Sequence, residues 1–345
     1  MIPGSMRRLC ITGVTLLAAA CSGGERTETA KEGSAESAVI GLITKTETNP
    51  YFVKMREGAQ AAAQAEGVRL LTGAGRVDGD NAGQVTAMEN MIAAGARVIL
   101  ITANDARAIL PSIQKARERG ILVIALDSPT DPPEATHALF ATDNYEAGTL
   151  IGRYAKAALR GREPKIATID LSPGNPVGAQ RHNGFLRGFG LAAPDARTNT
   201  LGHPAEVVCM ADGYGNQARG QAAMENCLQR NPDINVVYTI NEPTAAGAYK
   251  ALQAKGKGEG VILVSVDGSC QGVRDVSAGT IAATAQQYPL RMAEMGVAAG
   301  AEFIRTGKKP TGYTNTGVTL IAARPVPGVE SASVEAGMQN CFGNR

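Results

Sequence analysis

The sequence predicts an α/β fold of two doubly wound lobes, each with a parallel sheet covered by helices, and three observations predict it. From Val39 to about residue 300, short apolar runs alternate with segments of helical periodicity. The runs are continuously apolar rather than alternating, as in strands buried on both faces. The 345 residues exceed one domain of roughly 150, so the length calls for two. No Pro-rich linker divides the chain, so the lobes are expected to be interwoven, with several crossings between them.

Arg7-Arg8, a mainly apolar stretch from Leu9 to Ala20 and the small residues before Cys21 read as a charged region, an apolar region and a cleavage site. Residues 1–21 are therefore expected to be a secretion signal. The run is shorter than the about 20 apolar residues that span a bilayer. Ala18-Ala19-Ala20-Cys21 resembles a bacterial lipobox, with Ala18 where Leu is usual and Leu17 one place earlier. Cys21 is accordingly expected to carry a lipid anchor. Residues 22–38 are polar, rich in Gly, Ser, Glu, Lys and Thr, and read as a flexible tether.

Strands are expected at Val39–Ile43, Val68–Leu71, Val98–Ile101, Ile121–Leu126, Ile166–Ile169, Val236–Ile240, Val261–Val266 and Ile281–Ala285. Between the first four, Phe52, Met55, Ala59 and Ala62 recur at helical spacing before Gly67. Val85, Met88 and Ile92 do so before Gly95, and Ile109, Ile113 and Ala116 before Gly120. Right-handed crossovers make such a series an open sheet with helices on both faces. Ligands of these sheets bind beyond the carboxyl ends of the strands.

Composition narrows the function. With 34 basic and 32 acidic residues well mixed, no basic stripe offers itself to nucleic acid. With signal and anchor removed, Cys209, Cys227, Cys270 and Cys341 remain, in keeping with an oxidising compartment. They allow three pairings. Cys209 with Cys227 and Cys270 with Cys341 is favoured, the second tying down the C-terminal tail; buried free thiols are the other reading.

Polar residues cluster where the strands end. After the first strand comes Thr44-Lys45-Thr46-Glu47-Thr48-Asn49-Pro50-Tyr51-Phe52. Asn49-Pro50 reads as a helix cap with Pro in the first turn. Two adjacent rings in that turn point different ways, so at most one is expected in the core and the other faces the cleft, ready to stack on the C–H face of a sugar. Asp127, Asn241 and Asp267 each follow an apolar run directly. Singly, each reads as a cap or turn residue. Together they supply the paired acceptors and donors that vicinal hydroxyls need.

On these residues the chain resembles the ribose-binding-protein class of periplasmic sugar-binding proteins. The resemblance runs from about Val39 to the C-terminus and is carried by Asn49-Pro50-Tyr51-Phe52, Ala125-Leu126-Asp127, Thr142-Asp143-Asn144, Arg181 before Gly184-Phe185, Asn241-Glu242, Val266-Asp267-Gly268 and Gln287 before Pro289. Within that class it is most similar to the fructose-binding subgroup, through Ile43-Thr44-Lys45-Thr46, Tyr238-Thr239-Ile240-Asn241-Glu242-Pro243 and Gln287-Tyr288-Pro289-Leu290. The resemblance implies two Rossmann-like lobes joined by a three-strand hinge, residues 39–142 with 288–322 and residues 143–287 with 323–345. It implies ligand contacts from Lys45, Asn49, Tyr51, Phe52, Asp127, Arg181, Asn241, Asp267 and Gln287, with Tyr214 and Asn216 as candidates for a third aromatic wall. Ser128 stands where ribose binders carry Arg, which breaks the ribose pattern. The implied function is the extracytoplasmic binding component of an ABC sugar importer: a periplasmic or cell-surface monomer that closes on a monosaccharide and is read by a permease and its ATPase. The alternative is a receptor subunit reporting a sugar or sugar-like signal to a membrane sensor.

Other readings fail on residue order. Gly268-Ser269-Cys270-Gln271-Gly272 imitates a nucleophile elbow, but His137, His182 and His203 all precede it. Gly73-Ala74-Gly75 lacks the third Gly of a dinucleotide loop, where Asp78 stands. His203, Glu206 and Cys209 are spaced like possible metal ligands, but one such trio in a loop is read as coincidence. A sugar-responsive repressor would need a helix-turn-helix where the signal and tether lie. No cofactor, metal or catalytic residue is expected.

Overall fold

The computed structural model describes residues 38–196 and 198–343. The signal, the lipobox-like Cys21 and almost all of the tether lie outside them. The first lobe opens with β1 (Val39–Thr44), α1 (Pro50–Glu66), β2 (Arg69–Ala74), α2 (Asn81–Ala93), β3 (Val98–Ile101), α3 (Leu110–Glu118), β4 (Leu122–Leu126) and β5 (Ala138–Ala141). The second lobe follows as α4 (Asn144–Ala158), β6 (Ile166–Asp170), α5 (Pro176–Phe189), β7 (Val207–Asp212), α6 (Gln217–Arg230), β8 (Val236–Thr239), α7 (Glu242–Ala254), β9 (Ile262–Asp267), α8 (Cys270–Ala278) and β10 (Ala283–Gln286). The chain then returns to the first lobe for α9 (Pro289–Thr306) and β11 (Gly312–Asn315), and goes back to the second for β12 (Thr319–Ala322) and α10 (Val334–Asn340).

The sheets are ordered β11-β5-β4-β3-β1-β2 and β12-β10-β9-β8-β6-β7. Apart from β12, which runs antiparallel to β10, every pairing is parallel. In both lobes the chain starts on an inner strand, adds one neighbour and switches to the other side, so each sheet has a switch-point crevice at its carboxyl edge. Three crossings join the lobes, after β5, after β10 and between β11 and β12. The implied boundary at residue 322 is corrected here: Thr319–Ala322 pairs with Gln286–Ala283 in the second sheet.

Helix α1 shows how local chemistry sets the elements. Asn49 caps it, its Oδ1 accepting the Tyr51 N–H at 3.0 Å, and Pro50 fills the first turn. Gly67, at φ 68°, ends it with its N–H on the Ala63 and Gln64 carbonyls. Between them Met55, Ala59 and Ala63 are buried on one stripe. That stripe and α9 cover one face of the first sheet, while Met88, Met91 and Ile92 of α2 and Ile113 and Ala116 of α3 cover the other. In the second lobe α4 and α5 pack on one face and α6 and α7 on the other.

Four strands were not expected from the sequence. Strand β11 is exposed along its length, with Tyr313 at 52%. Strand β7 is a half-exposed edge. Strands β5 and β12 have four residues each. Strand β11 has no apolar run, whereas Val207–Ala211 in β7 is as apolar as a central strand and is missed by the sequence reading. The cysteines pair Cys209–Cys227 and Cys270–Cys341.

Candidate functional site

The carboxyl ends of the two sheets meet around a cavity of about 40 Å³ lined from both lobes. From the first lobe, Lys45 follows β1 and is 4% exposed, its Nζ 3.8 Å from Asp127 Oδ2 and 6.0 Å from the Phe52 ring centre. Asp127 follows β4 at φ 61°, a strained value for a residue with a Cβ. Its carboxylate is held at both oxygens: Tyr51 Oη donates to Oδ1 and Ser128 Oγ to Oδ2, each at 3.0 Å. Asn49, Tyr51 and Phe52 complete this wall. Both rings are 4% exposed and meet edge to face at 5.2 Å. The expectation that one ring leaves the core is therefore corrected. The second lobe roofs the cavity, so a ring can line it and still be buried.

From the second lobe comes Arg181, on α5. It reaches the cavity because α4 and α5 pack backbone to backbone, through Gly148 and Gly152 on one helix and Gly184 and Gly188 on the other. A Cβ at Gly148 would strike the Arg181 carbonyl. Arg181 is 5% exposed, so it is no solvated surface charge. Its Nε donates to Asn144 Oδ1 at 2.7 Å and its Nη1 to the Ile240 carbonyl at 2.8 Å, leaving Nη1 3.7 Å from Asp267 Oδ1. Asp267 sits at φ 144° at the end of β9 and accepts from Gln287 Nε2 at 2.9 Å. Asn241 caps α7 through Oδ1 and donates from Nδ2 to the Gly215 carbonyl at 3.2 Å.

Behind this wall lies Glu242. Its carboxylate accepts from Gly268 N–H (2.7 Å), Ser269 N–H (2.9 Å), Ser269 Oγ (2.5 Å) and Thr284 Oγ1 (2.8 Å), which fixes the turn that presents Asp267. Burial pushes Glu242 up to about 7 despite these donors. Burial also raises Asp267 well above the carboxylate range, against the pull of Arg181. It lowers Lys45, with Asp127 and Asp78 opposing, and raises Tyr51, with the Asp127 charge adding to the rise. Gln287 Oε1 is buried without a hydrogen-bond partner and belongs to a residue that lines the cavity.

Nine of the expected contacts thus line one cavity; Tyr214 and Asn216 do not. The Tyr214 ring is covered by the Arg219 guanidinium at 4.2 Å, and Asn216 Oδ1 caps α6 by accepting Arg219 N–H at 3.1 Å. Of that loop only the Gly215 carbonyl is drawn to a lining side chain. Asp78, Leu171, Val177 and Ile240 line the cavity and were not expected. Asp78 is raised to about 6, chiefly by burial, with Lys45 opposing. Its only sequence signal is a place four residues beyond β2, in the loop read above as a failed dinucleotide motif. Cys270 of the elbow-like motif is buried in a disulfide. No metal-binding cluster occurs among the described residues.

The periplasmic binding protein domain family matches residues 40–309. The chain is 28% identical to the ribose import binding protein of Escherichia coli over 277 residues, 79% of this chain and 87% of that one. It is 26% identical to the ribose import binding protein of Bacillus subtilis over 279 residues, 80% and 85% of the two chains. The periplasmic component of an ABC-type sugar transport system from Hahella chejuensis has the same fold, with a TM-score of 0.74 at 29% identity over 82% of this chain and 99% of that one. The chain belongs to the periplasmic binding protein family, and its paired α/β lobes with three crossings are the type I architecture. It is a solute-binding protein and not an enzyme.

Proposed function

We propose that this chain is the extracytoplasmic sugar-binding component of an ABC importer and takes one monosaccharide, fructose-like by preference, between its lobes. The observation that carries this reading is the convergence on one cavity of two rings, Tyr51 and Phe52, with a Lys45–Asp127 pair from one lobe and an Arg181–Asp267 pair from the other. Rings stack on the C–H faces of a pyranose or furanose, and fixed carboxylates, amides and cations bond its hydroxyls at both ends. The buried, unpartnered Gln287 Oε1 supplies one further acceptor. The names of the ribose import relatives support both a sugar ligand and import. The motifs at Ile43–Thr46, Tyr238–Pro243 and Gln287–Leu290, and Ser128 beside Asp127, favour a fructose-like ligand over ribose.

The mechanism follows from the size of the cavity. At about 40 Å³ it is far below the roughly 300 Å³ at which ligand pockets begin, so a sugar enters only when the lobes part at their three crossings. A ligand that bonds both lobes at once then shifts the population toward closure. Each hydrogen bond to a charged group is worth roughly 1.5–3 kcal/mol, so a few hold the closed form. The permease and its ATPase read that form. Ala18-Ala19-Ala20-Cys21 supports attachment to the membrane by lipid at Cys21.

The test is the shift in thermal midpoint against hexoses, pentoses and polyols. A selective shift with D-fructose that Asp267→Ala abolishes is expected. A larger shift with ribose overturns the fructose preference, and no shift with any monosaccharide overturns the sugar reading.

A further inference from the structure

Beside the cavity the lobes meet a second time. The loop after β3 in the first lobe lies against the turn that leads into α5 in the second. Asn175 Nδ2 donates to the Ala103 carbonyl at 3.2 Å and to the Asn104 carbonyl at 3.4 Å, and Ala106 N–H donates to the Gly174 carbonyl at 3.0 Å. Gly174 has φ 88°, and a Cβ there would stand 2.7 Å from the Asp105 carboxylate of the other lobe, so this approach requires glycine. Neither Asn104 nor Asn175 lines the cavity.

The two asparagines nevertheless hold the parts that do. Asn104 is 3% exposed; its Oδ1 accepts Gly79 N–H at 3.0 Å, and its Nδ2 faces the Lys45 carbonyl at 3.5 Å and the Asp80 carbonyl at 3.3 Å. Lys45 and the Asp78 loop are therefore tied to the residue whose carbonyl Asn175 bonds. Asn175 Oδ1 accepts Val177 N–H at 3.0 Å and caps the helix that carries Arg181. One pair of side chains links the charged groups of the first lobe, the contact between lobes and the helix of the second.

We propose that Asn104 and Asn175 are positioning residues that latch the closed lobes and set ligand affinity without touching the ligand. The bonds from Asn175 to the first lobe exist only while the lobes are together, so they favour closure by the same amount whichever sugar is held. Weakening the latch lowers the closed fraction, which weakens every ligand in proportion and leaves selectivity unchanged. This inference rests on the cavity being the ligand site.

Asn175→Asp tests it, because Asp retains the oxygen that caps α5 while losing the amide donor and placing a carboxylate against two carbonyls. Asn175→Ser keeps a capping oxygen and adds no charge. With the sugar that most raises the midpoint of the wild-type full chain as probe, stopped-flow kinetics should show dissociation about tenfold faster in Asn175→Asp, the equivalent of two ordinary hydrogen bonds. Asn175→Ser should lie between it and wild type. Association should stay within about twofold and the rank order of sugars should not change, as for an effect confined to the closed state. The unliganded midpoint should fall by less than the liganded one, because only part of the ligand-free protein is closed. Unaltered dissociation overturns the latch, and so does a loss matched by lower unliganded stability in both variants. Spin labels on α2 and α6 supply a readout that needs no ligand. Longer inter-lobe distances in Asn175→Asp, in a protein that binds no sugar of the panel, would sustain the latch while sinking the sugar reading, and unchanged distances there would overturn both.

Discussion

Phe342 lies edge-on to Tyr51, ring centres 5.5 Å apart, although the residue before it, Cys341, is bonded to Cys270 on α8 of the other lobe. Phe342 is 3% exposed within the core of the first lobe, and its carbonyl accepts Cys270 N–H at 2.8 Å. The C-terminal tail is thus fixed to one lobe and packed into the other, behind the tyrosine that bonds Asp127. Phe342→Ala should cost about 3 kcal/mol, the low end for a buried Phe, and should weaken sugar binding by releasing Tyr51. Urea denaturation and calorimetric titration read the two effects. Phe342→Leu should retain most of both.

The disulfides should contribute unequally. Cys270–Cys341 spans 71 residues and Cys209–Cys227 spans 18. By loop entropy they stabilise by about 4 and about 3 kcal/mol. The Cys270→Ser, Cys341→Ser double variant should therefore lose more in thermal midpoint than its counterpart at the other pair. It should also lose more ligand affinity, because it frees the anchor of Phe342.

Arg181→Ala leaves the Asp267 carboxylate buried without its nearest cation, which should cost about 3–5 kcal/mol and abolish binding. Burial already raises the folded pKa of Asp267, and removing Arg181 takes away the opposing charge. The raised folded pKa makes ionisation costly in the native state, so the variant should lose stability as pH rises and lie closest to wild type in acid. Denaturation at pH 5 and pH 8 distinguishes this from a simple packing loss.

Three buried groups, His182, Asp78 and Glu242, should tilt the pH dependence of the ligand-free protein toward lower stability as pH rises, while Lys45 and His137, both lowered by burial, tilt it the other way. His182 is fully buried, its Nδ1 2.9 Å from Asp170 Oδ1 and its Nε2 2.7 Å from the Gly202 carbonyl, so both nitrogens face acceptors. Burial lowers its pKa, but the Asp170 charge and the two hydrogen bonds outweigh this and the net shift is upward. The stabilisation is complete below the unfolded value of about 6.5 and disappears as pH rises through the folded value. At lower pH, Asp78 at about 6 and Glu242 at about 7 are raised above their unfolded values. Folded protein then binds more protons than unfolded, so stability falls from about pH 4 toward 7 as well. Measured as urea midpoints, Asp78→Asn should lose less stability than wild type between about pH 4 and 6, the window over which the raised Asp78 pKa acts.

Central strands and site residues were legible because each carries a local signature: β1, β3, β4, β6, β8 and β9 are apolar runs, and Asp127, Asn241 and Asp267 follow such runs directly. The edge strand β11 was not legible, since it is exposed along its length and holds its place by pairing with β5, distant in sequence. The same limit hid Asp78, which enters the cavity only because the second lobe closes over its loop, and it misplaced Tyr214, whose ring is taken by Arg219. Residue periodicity records which side of an element meets a core. Contact between two lobes is made by loops whose sequence carries no period, so the pairing of Asn175 with Ala103 and Asn104, and of Phe342 with Tyr51, arises only when both lobes are folded and brought together.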